Sequence, residues 1–304
     1  MSIADPLTQA PERNSGGIML VFIAGVLWST VGLGIRLIED ALVWQILLYR
    51  SVGLSFLLFV VIRLRTGQNP FERARHAGWP GVIGGLSLVA AYAGGIYAIQ
   101  STSVANAMLL FASAPFMAAV LGLVILREAV RAHTWLAILL ACLGIGVMVW
   151  DKSSGGAMAG NLAALGSALG FAVFTIALRW GKSGEMLPSV FLSGLFAIPI
   201  MAIICLSLDL PLILSPRDAG ISGIMGIFQV GAGLVLYTIG SKTVSAAELT
   251  LLSLAEVVLA PLWVWLLLGE TATLYTLIGG GILLVAIGGN ALLGARRKPP
   301  VTLV

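Results

Sequence analysis

Long apolar runs alternate with short polar breaks along the whole chain, and the runs recur ten times. They lie near 17–38, 43–64, 78–99, 104–126, 133–150, 158–180, 188–208, 219–240, 244–268 and 273–294. Each approaches the roughly 20 residues that a helix needs to cross the hydrocarbon core of a bilayer. Lipid offers the backbone no hydrogen-bond partners, so only helices and closed barrels cross it, and barrel strands need about 9–11 alternating residues. The pattern predicts an all-α membrane protein with ten transmembrane helices. The breaks carry turn chemistry: Glu39-Asp40, Asn69-Pro70, Asp151–Gly156, Gly184–Pro188 and Pro211–Pro216.

The second five runs echo the first five. Moving back 142 positions, Ser245 falls on Ser103, Ala247 on Ala105, Ala260 on Ala118, Glu270 on Glu128 and Thr276 on Thr134. Gly220, Gly223 and Gly226 fall on Gly78, Gly81 and Gly84 without a gap. Leu and Ala matches are common between apolar helices, but Gly, Ser and Glu matches at one fixed offset are not. The chain divides into a segment 1–16, a first five-helix repeat 17–150, a second repeat 158–294 and a tail 295–304. Five spans is an odd number, so the second copy must run upside down relative to the first. Inverted repeats place a substrate site near the bilayer midplane, between halves that rock to give alternating access. The expected architecture is two inverted five-helix repeats around a central cavity.

Composition supports the membrane reading. Apolar residues make up 59% of the chain and charged residues 10%, where soluble domains carry about 25% charged. Mean hydropathy is +1.04 and the sequence pI is 9.3. The excess base sits in short loops and obeys the positive-inside rule, so no nucleic-acid partner is expected. With the N-terminus in the cytoplasm, thirteen Lys and Arg fall inside, among them Arg63, Arg73, Arg127 and Arg179, and three (Arg36, Lys152 and Arg217) fall outside. Arg50 lies within a span. Both termini are expected in the cytoplasm, the first apolar run acts as an uncleaved anchor, and the Pro-rich end is expected to be disordered. Cys142 and Cys205 each sit inside an apolar run and fit neither a disulfide framework nor a metal site.

Polar and aromatic residues at membrane depth are the candidates for function. Glu256 lies about 18 Å along a helix that starts near Val244, at the 1.5 Å rise per residue. A carboxylate there costs roughly 2.5–3.5 kcal/mol on insertion scales and marks a polar cavity with a job. It could attract an ammonium group, carry a proton, or tie helices through a hydroxyl. Ser253 is one turn away, and the repeat places Phe111 and Ala114 on the matching face of span four. Trp28 lies mid-span in helix one, and Phe171 is its counterpart at an offset of 143. Gln229, Gly233 and Tyr237 are spaced four apart and share one face of span eight. Tyr92 and Tyr97 on span three and Asn106 on span four are further candidates. Arg50, about 10 Å into span two, either receives a substrate carboxylate or braces backbone carbonyls. The other tryptophans, including Trp79, Trp150, Trp180, Trp263 and Trp265, lie nearer span ends as belt or packing residues. Gly81/Gly85, Gly144/Gly146, Gly166/Gly170 and Gly279–Gly281 offer small-residue packing faces. Pro115 and Pro261 are expected to kink spans four and nine.

No Walker motif, HExxH, GxSxG or CxxC is present. An enzyme, a metal and a cofactor are therefore not expected. The Trp28-Ser29 pair, Tyr49-Arg50, Pro115 with the apolar run to Arg127-Glu128, and Leu254-Ala255-Glu256 running on to Leu268-Gly269-Glu270 resemble the drug/metabolite transporter superfamily. The resemblance is to its ten-helix EamA-type branch, covers about residues 17–294, and is greatest to the bacterial aromatic amino-acid exporters. It implies an exporter of the bacterial inner membrane with a central cavity built from spans 1, 3, 4, 6, 8 and 9. One departure stands out: the family often has Glu-Pro in span nine, and here Val257 follows Glu256.

The expected function is a secondary transporter that exports small amphipathic metabolites, aromatic and other neutral amino acids first among them. Expected site residues are Trp28, Tyr92, Phe111, Phe171, Gln229, Tyr237 and Glu256, with Arg50 as carboxylate contact or brace. Two alternatives stand beside it: a proton-coupled exporter of drugs or organic cations, and a scaffold or receptor component that moves nothing. The lipid bilayer and a small-molecule substrate are the expected partners, and the sequence leaves a homodimer open.

Overall fold

The computed structural model describes residues 15–150, 157–181, 186–244 and 246–295. The N-terminal segment, the 151–156 connection, residues 182–185, the tail beyond 295 and the Ser253 side chain, on all of which the sequence gives expectations, lie outside those residues. Among the described residues the chain is all helical, with no strand. The elements are α1 (Ser15–Ser29), α2 (Val31–Arg36), α3 (Val43–Thr66), α4 (Pro70–His76), α5 (Gly78–Ser101), α6 (Val104–Phe111), α7 (Ala114–Leu126), α8 (Ala132–Trp150), α9 (Ala157–Trp180) and α10 (Leu187–Ser207). There follow α11 (Pro216–Ile224), a π-helical segment (Met225–Ala232), α12 (Gly233–Gly240), α13 (Ala246–Leu268) and α14 (Leu274–Ala295). Among the described residues nine helices are long and apolar enough to cross a membrane, and α13 adds the shorter apolar stretch Leu254–Leu268.

Local chemistry explains the boundaries. Ser103, Asn69 and Ser215 cap α6, α4 and α11 by accepting the N–H of Asn106, Phe71 and Asp218 at 3.2, 3.0 and 3.1 Å. Proline at the first or second position starts α4, α7, α10 and α11, where its missing N–H costs nothing. Span four breaks at Ala112-Ser113, just ahead of Pro115, as the proline predicts. Pro261 behaves otherwise: α13 runs through it as one helix. The apolar pattern did not predict the short helix α4, the break at Thr30 between α1 and α2, or the π-helical turns of span eight.

The principal packing runs between the halves of the chain. α5 packs on α9 and α10, α8 on α14, α3 on α10 and on the π segment, α1 on α12 and α13, and α7 on α9. Exchanging the halves maps these pairings onto one another: α7 lies on α9 as α13 lies on α1. Small residues allow the approach. A Cβ on Gly144 would lie 2.5 Å from the Gly279 carbonyl oxygen, and one on Gly279 would lie 2.4 Å from that of Gly144. Gly85 abuts Leu192 and Phe196, and Gly170 abuts the Ser87 carbonyl. Gly146, Gly166 and Gly281 have nothing within 4 Å of such a Cβ, so the Gly81/Gly85 face packs through both members and the other three through only some of theirs.

Candidate functional site

Span eight is the element that assembles the site. Its π-helical stretch widens the turn around Gln229, a distortion found mostly at functional sites. Glycines on either side of Gln229 bring two other helices close, one by its backbone and one by a side chain. A Cβ on Gly226 would lie 2.0 Å from the backbone oxygen of Arg50 in α3. One on Gly233 would lie 2.3 Å from Nε1 of Trp28 in α1. In turn, Gly25 of α1 lies against the backbone of α13 at Leu252 and Glu256. The helices bearing Arg50, Gln229, Trp28 and Glu256 therefore follow one another in direct contact.

The expected residues gather in three knots. In the first, the Trp28 and Tyr237 rings lie 5.3 Å apart at 41°, and Gln229 Nε2 donates to the Trp28 carbonyl at 3.4 Å. The Gln229 Oε1 atom is buried without a partner among the described residues. In the second, the Arg50 guanidinium lies over the Tyr92 ring, 4.6 Å from its centre. Arg50 is 4% exposed, its Nε has no hydrogen bond, and no ion pair reaches it among the described residues. In the third, Phe111 and Phe171 meet edge to face at 5.7 Å, and Phe171 reaches Phe174 at 5.8 Å. The knots share walls: one apolar cluster contains Leu54, Leu88, Phe174 and Leu234, and both Trp28 and Tyr92 pack against it.

Glu256 is half-buried beside Val257, which belongs to the larger apolar cluster on which Tyr92 also packs. No hydrogen bond or ion pair holds its carboxylate among the described residues. Two weaker candidates do not join the knots. Asn106 is buried, and its Nδ2 donates to Asn161 Oδ1 and to Thr102 Oγ1, tying span four to span six. Tyr97 faces out of the protein. Trp263, expected as a belt or packing residue, pins span nine to span one, with Nε1 donating to Ser29 Oγ at 2.9 Å. Trp79, Trp150, Trp180 and Trp265 are exposed, as belt residues should be. The sequence did not single out Phe174. The offset rule could have flagged it only had its counterpart, Val31, been aromatic.

Among the described residues no group of three or more His, Cys, Asp or Glu is placed to hold a metal. The site offers instead aromatic surface, one buried cation and one carboxylate, a set suited to binding and not to bond breaking. A family model, that of the EamA-like transporter family, matches residues 15–150 and again residues 158–291.

The chain belongs to the EamA-like transporter family. That makes it a transporter and not an enzyme, and a multi-pass membrane protein. Two bacterial relatives show the same affinity. An uncharacterized transporter, YwfM of Bacillus subtilis (strain 168), is 29% identical over 205 residues, covering 66% of this chain and 68% of the relative. Protein RarD of Salmonella typhi is 27% identical over 202 residues, covering 65% of this chain and 66% of that protein. A solved crystal structure superposes with a TM-score of 0.64 at 19% identity, covering 94% of this chain and all of that one. At that identity the likeness speaks for the transporter's fold alone.

Proposed function

We propose that this transporter exports small zwitterionic metabolites, aromatic and other neutral amino acids foremost, by alternating access through a midplane cavity. Arg50 carries the proposal. A buried guanidinium at membrane depth is costly unless a partner or water meets it. Among the described residues it has the Tyr92 ring but no carboxylate, so a substrate carboxylate is the natural complement. Glu256, equally without a partner, would take the ammonium group. Trp28, Tyr237, Phe111 and Phe171 would enclose the apolar side chain, with Gln229 orienting it. A few polar groups set in an aromatic wall is the usual make-up of a small-molecule site.

In this reading the protein has ten spans, α13 completing the set, arranged as two inverted repeats in the bacterial inner membrane with both termini in the cytoplasm. The matched pairings between halves support the repeats, and the Lys and Arg distribution supports the orientation. The sequence resemblance of Trp28-Ser29, Tyr49-Arg50 and Leu254-Ala255-Glu256 to aromatic amino-acid exporters suggests the cargo, which the relatives' names leave open.

The test is substrate protection. Cysteines placed at Trp28, Phe171 and Gln229, one at a time, should react with a membrane-impermeant maleimide and be shielded by tryptophan or phenylalanine. Reaction with lipid-soluble reagents alone would defeat the proposal. A second reading, export of organic cations coupled to protons, is favoured by the unpaired Glu256 carboxylate. Under it, a lipophilic cation would protect those cysteines and amino acids would not.

A further inference from the structure

Among the described residues three ion pairs sit outside the site: Arg36–Glu270, Arg179–Glu128 and Arg217–Glu39. Arg217–Glu39 also joins the halves, near Arg36, and would part with it, but it has no counterpart in the repeat; the other two match. Arg36 donates through Nε to Glu270 Oε2 at 2.8 Å and through Nη2 to Glu270 Oε1 at 3.3 Å. Arg179 pairs with Glu128. Their positions correspond. Arg36 and Arg179 are 143 apart, the separation of Trp28 and Phe171, while Glu128 and Glu270 are 142 apart. Each arginine stands at the end of the first span of its half, and each glutamate follows the fourth.

The glutamates are also placed by the same backbone device. α7 ends at Arg127 with φ +55°, and the Glu128 N–H bonds back to the Gly122 carbonyl at 3.2 Å. α13 ends at Gly269 with φ +70°, and the Glu270 N–H bonds back to the Val264 carbonyl at 3.2 Å. A left-handed residue after a helix redirects the chain and satisfies its last carbonyls. Arg127 accepts a conformation that favours glycine so that Glu128 is aimed as Glu270 is.

Both pairs cross between the halves, in opposite senses. Arg36 of the first half reaches Glu270 of the second, and Arg179 of the second reaches Glu128 of the first. They also lie at opposite ends of the bundle. Glu270 accepts the Val104 N–H at 2.7 Å, and Arg36 Nη2 donates to the Thr102 carbonyl at 2.7 Å. The first pair therefore sits where span four begins. Glu128 sits where that span ends, 23 residues on, which is about 34 Å at the helical rise.

We infer that Arg36–Glu270 and Arg179–Glu128 are matched latches, one at each membrane face, and that the transport cycle releases them in alternation. The inference rests on the alternating-access reading. Halves that part at one face must break any ion pair crossing there, while the pair at the far face holds. Both latches are formed in this structure. Arg179–Glu128 is exposed and Arg36–Glu270 part-buried; ion pairs open to water are individually weak, so each can be broken in turn, and loss of one biases the population toward opening at its own face.

The experiment uses a Gln229→Cys reporter in a Cys142→Ser, Cys205→Ser background, reacted with an impermeant maleimide in right-side-out and in inverted vesicles. Glu270→Gln should raise reactivity from the Arg36 face and lower it from the other, by at least about two- to fivefold, the range of a solvent-open pair, since this one is part-buried. Glu128→Gln should do the reverse. The exchanged pair Arg179→Glu with Glu128→Arg, whose side chains make no backbone bonds like those of Arg36 and Glu270 among the described residues, should restore the original distribution, which a merely misfolded variant would not. Equal effects of the two glutamate variants from both faces, or no rescue on exchange, would overturn the latches while leaving transport standing. Reactivity from neither face in any variant would overturn both the latches and the cavity they close.

Discussion

Arg50 lies 4.6 Å from the centre of the Tyr92 ring, a cation on an aromatic face at membrane depth with no anion beside it among the described residues. Cation–π attraction is worth about 2 kcal/mol or more when desolvated, too little to offset a buried charge on its own. A carboxylate arriving with the substrate would complete the pair. Arg50→Ala should cut uptake of amino acids by at least about tenfold, and Arg50→Lys should restore it only in part, because an ammonium lacks the planar fork. Amines without a carboxylate should be far less affected. Initial uptake rates in proteoliposomes, measured for a matched amine and amino acid, would check this.

Glu256 should discriminate in the opposite sense. Glu256→Gln removes the charge and keeps the shape, so uptake of zwitterions should fall by about tenfold or more, the worth of a charged hydrogen bond lost. Acids that lack the ammonium should not suffer. Uptake equal to wild type would remove Glu256 from the binding set and leave it a structural group.

Gly233 lets span eight approach Trp28 so closely that a methyl group would fall 2.3 Å from the indole nitrogen. Gly233→Val should displace the indole from Tyr237 and cost about 1–3 kcal/mol by overpacking. Transport should be lost more completely than folded yield, compared by size-exclusion profile and uptake on the same preparation. Paired substitution with Trp28→Ala, which clears the space, should recover the yield but not the transport.

The sequence yielded the helices readily, because lipid leaves the backbone one solution for apolar runs of this length. Trp28 and Tyr92 were legible as polar-tipped aromatics at depth, and Gln229 with Tyr237 as one helical face. What escaped was anything set by contact between distant segments. The π-helical turn at Gln229 depends on Gly226 and Gly233 meeting α3 and α1, and neither glycine states its partner. Glu128 and Glu270 were visible as repeat matches, but their pairing with Arg179 and Arg36 crosses between halves and cannot be seen along the chain. Pro115 and Pro261 read alike along the chain, yet only at Pro115 is the helix interrupted, since a proline removes one backbone bond without always ending a helix.

Asp218 fixes another connection between halves. It is 1% exposed and accepts the N–H groups of Glu39, Asp40 and Ala41 at 3.1, 3.1 and 3.0 Å. Asp218→Ala leaves three donors without that acceptor and should destabilise the protein by at least about 2 kcal/mol. A lowered melting temperature of purified protein, with transport per folded molecule retained, is the expected result.

The most direct test is uptake by the purified protein in liposomes, offering labelled tryptophan, phenylalanine, threonine and a lipophilic cation, with and without a pH gradient. Saturable uptake of the amino acids, abolished in Arg50→Ala and Glu256→Gln and not competed by the cation, is the predicted result. Gradient-driven uptake of the cation, with no saturable movement of any amino acid, would contradict the account and make Glu256 a proton carrier for a different cargo.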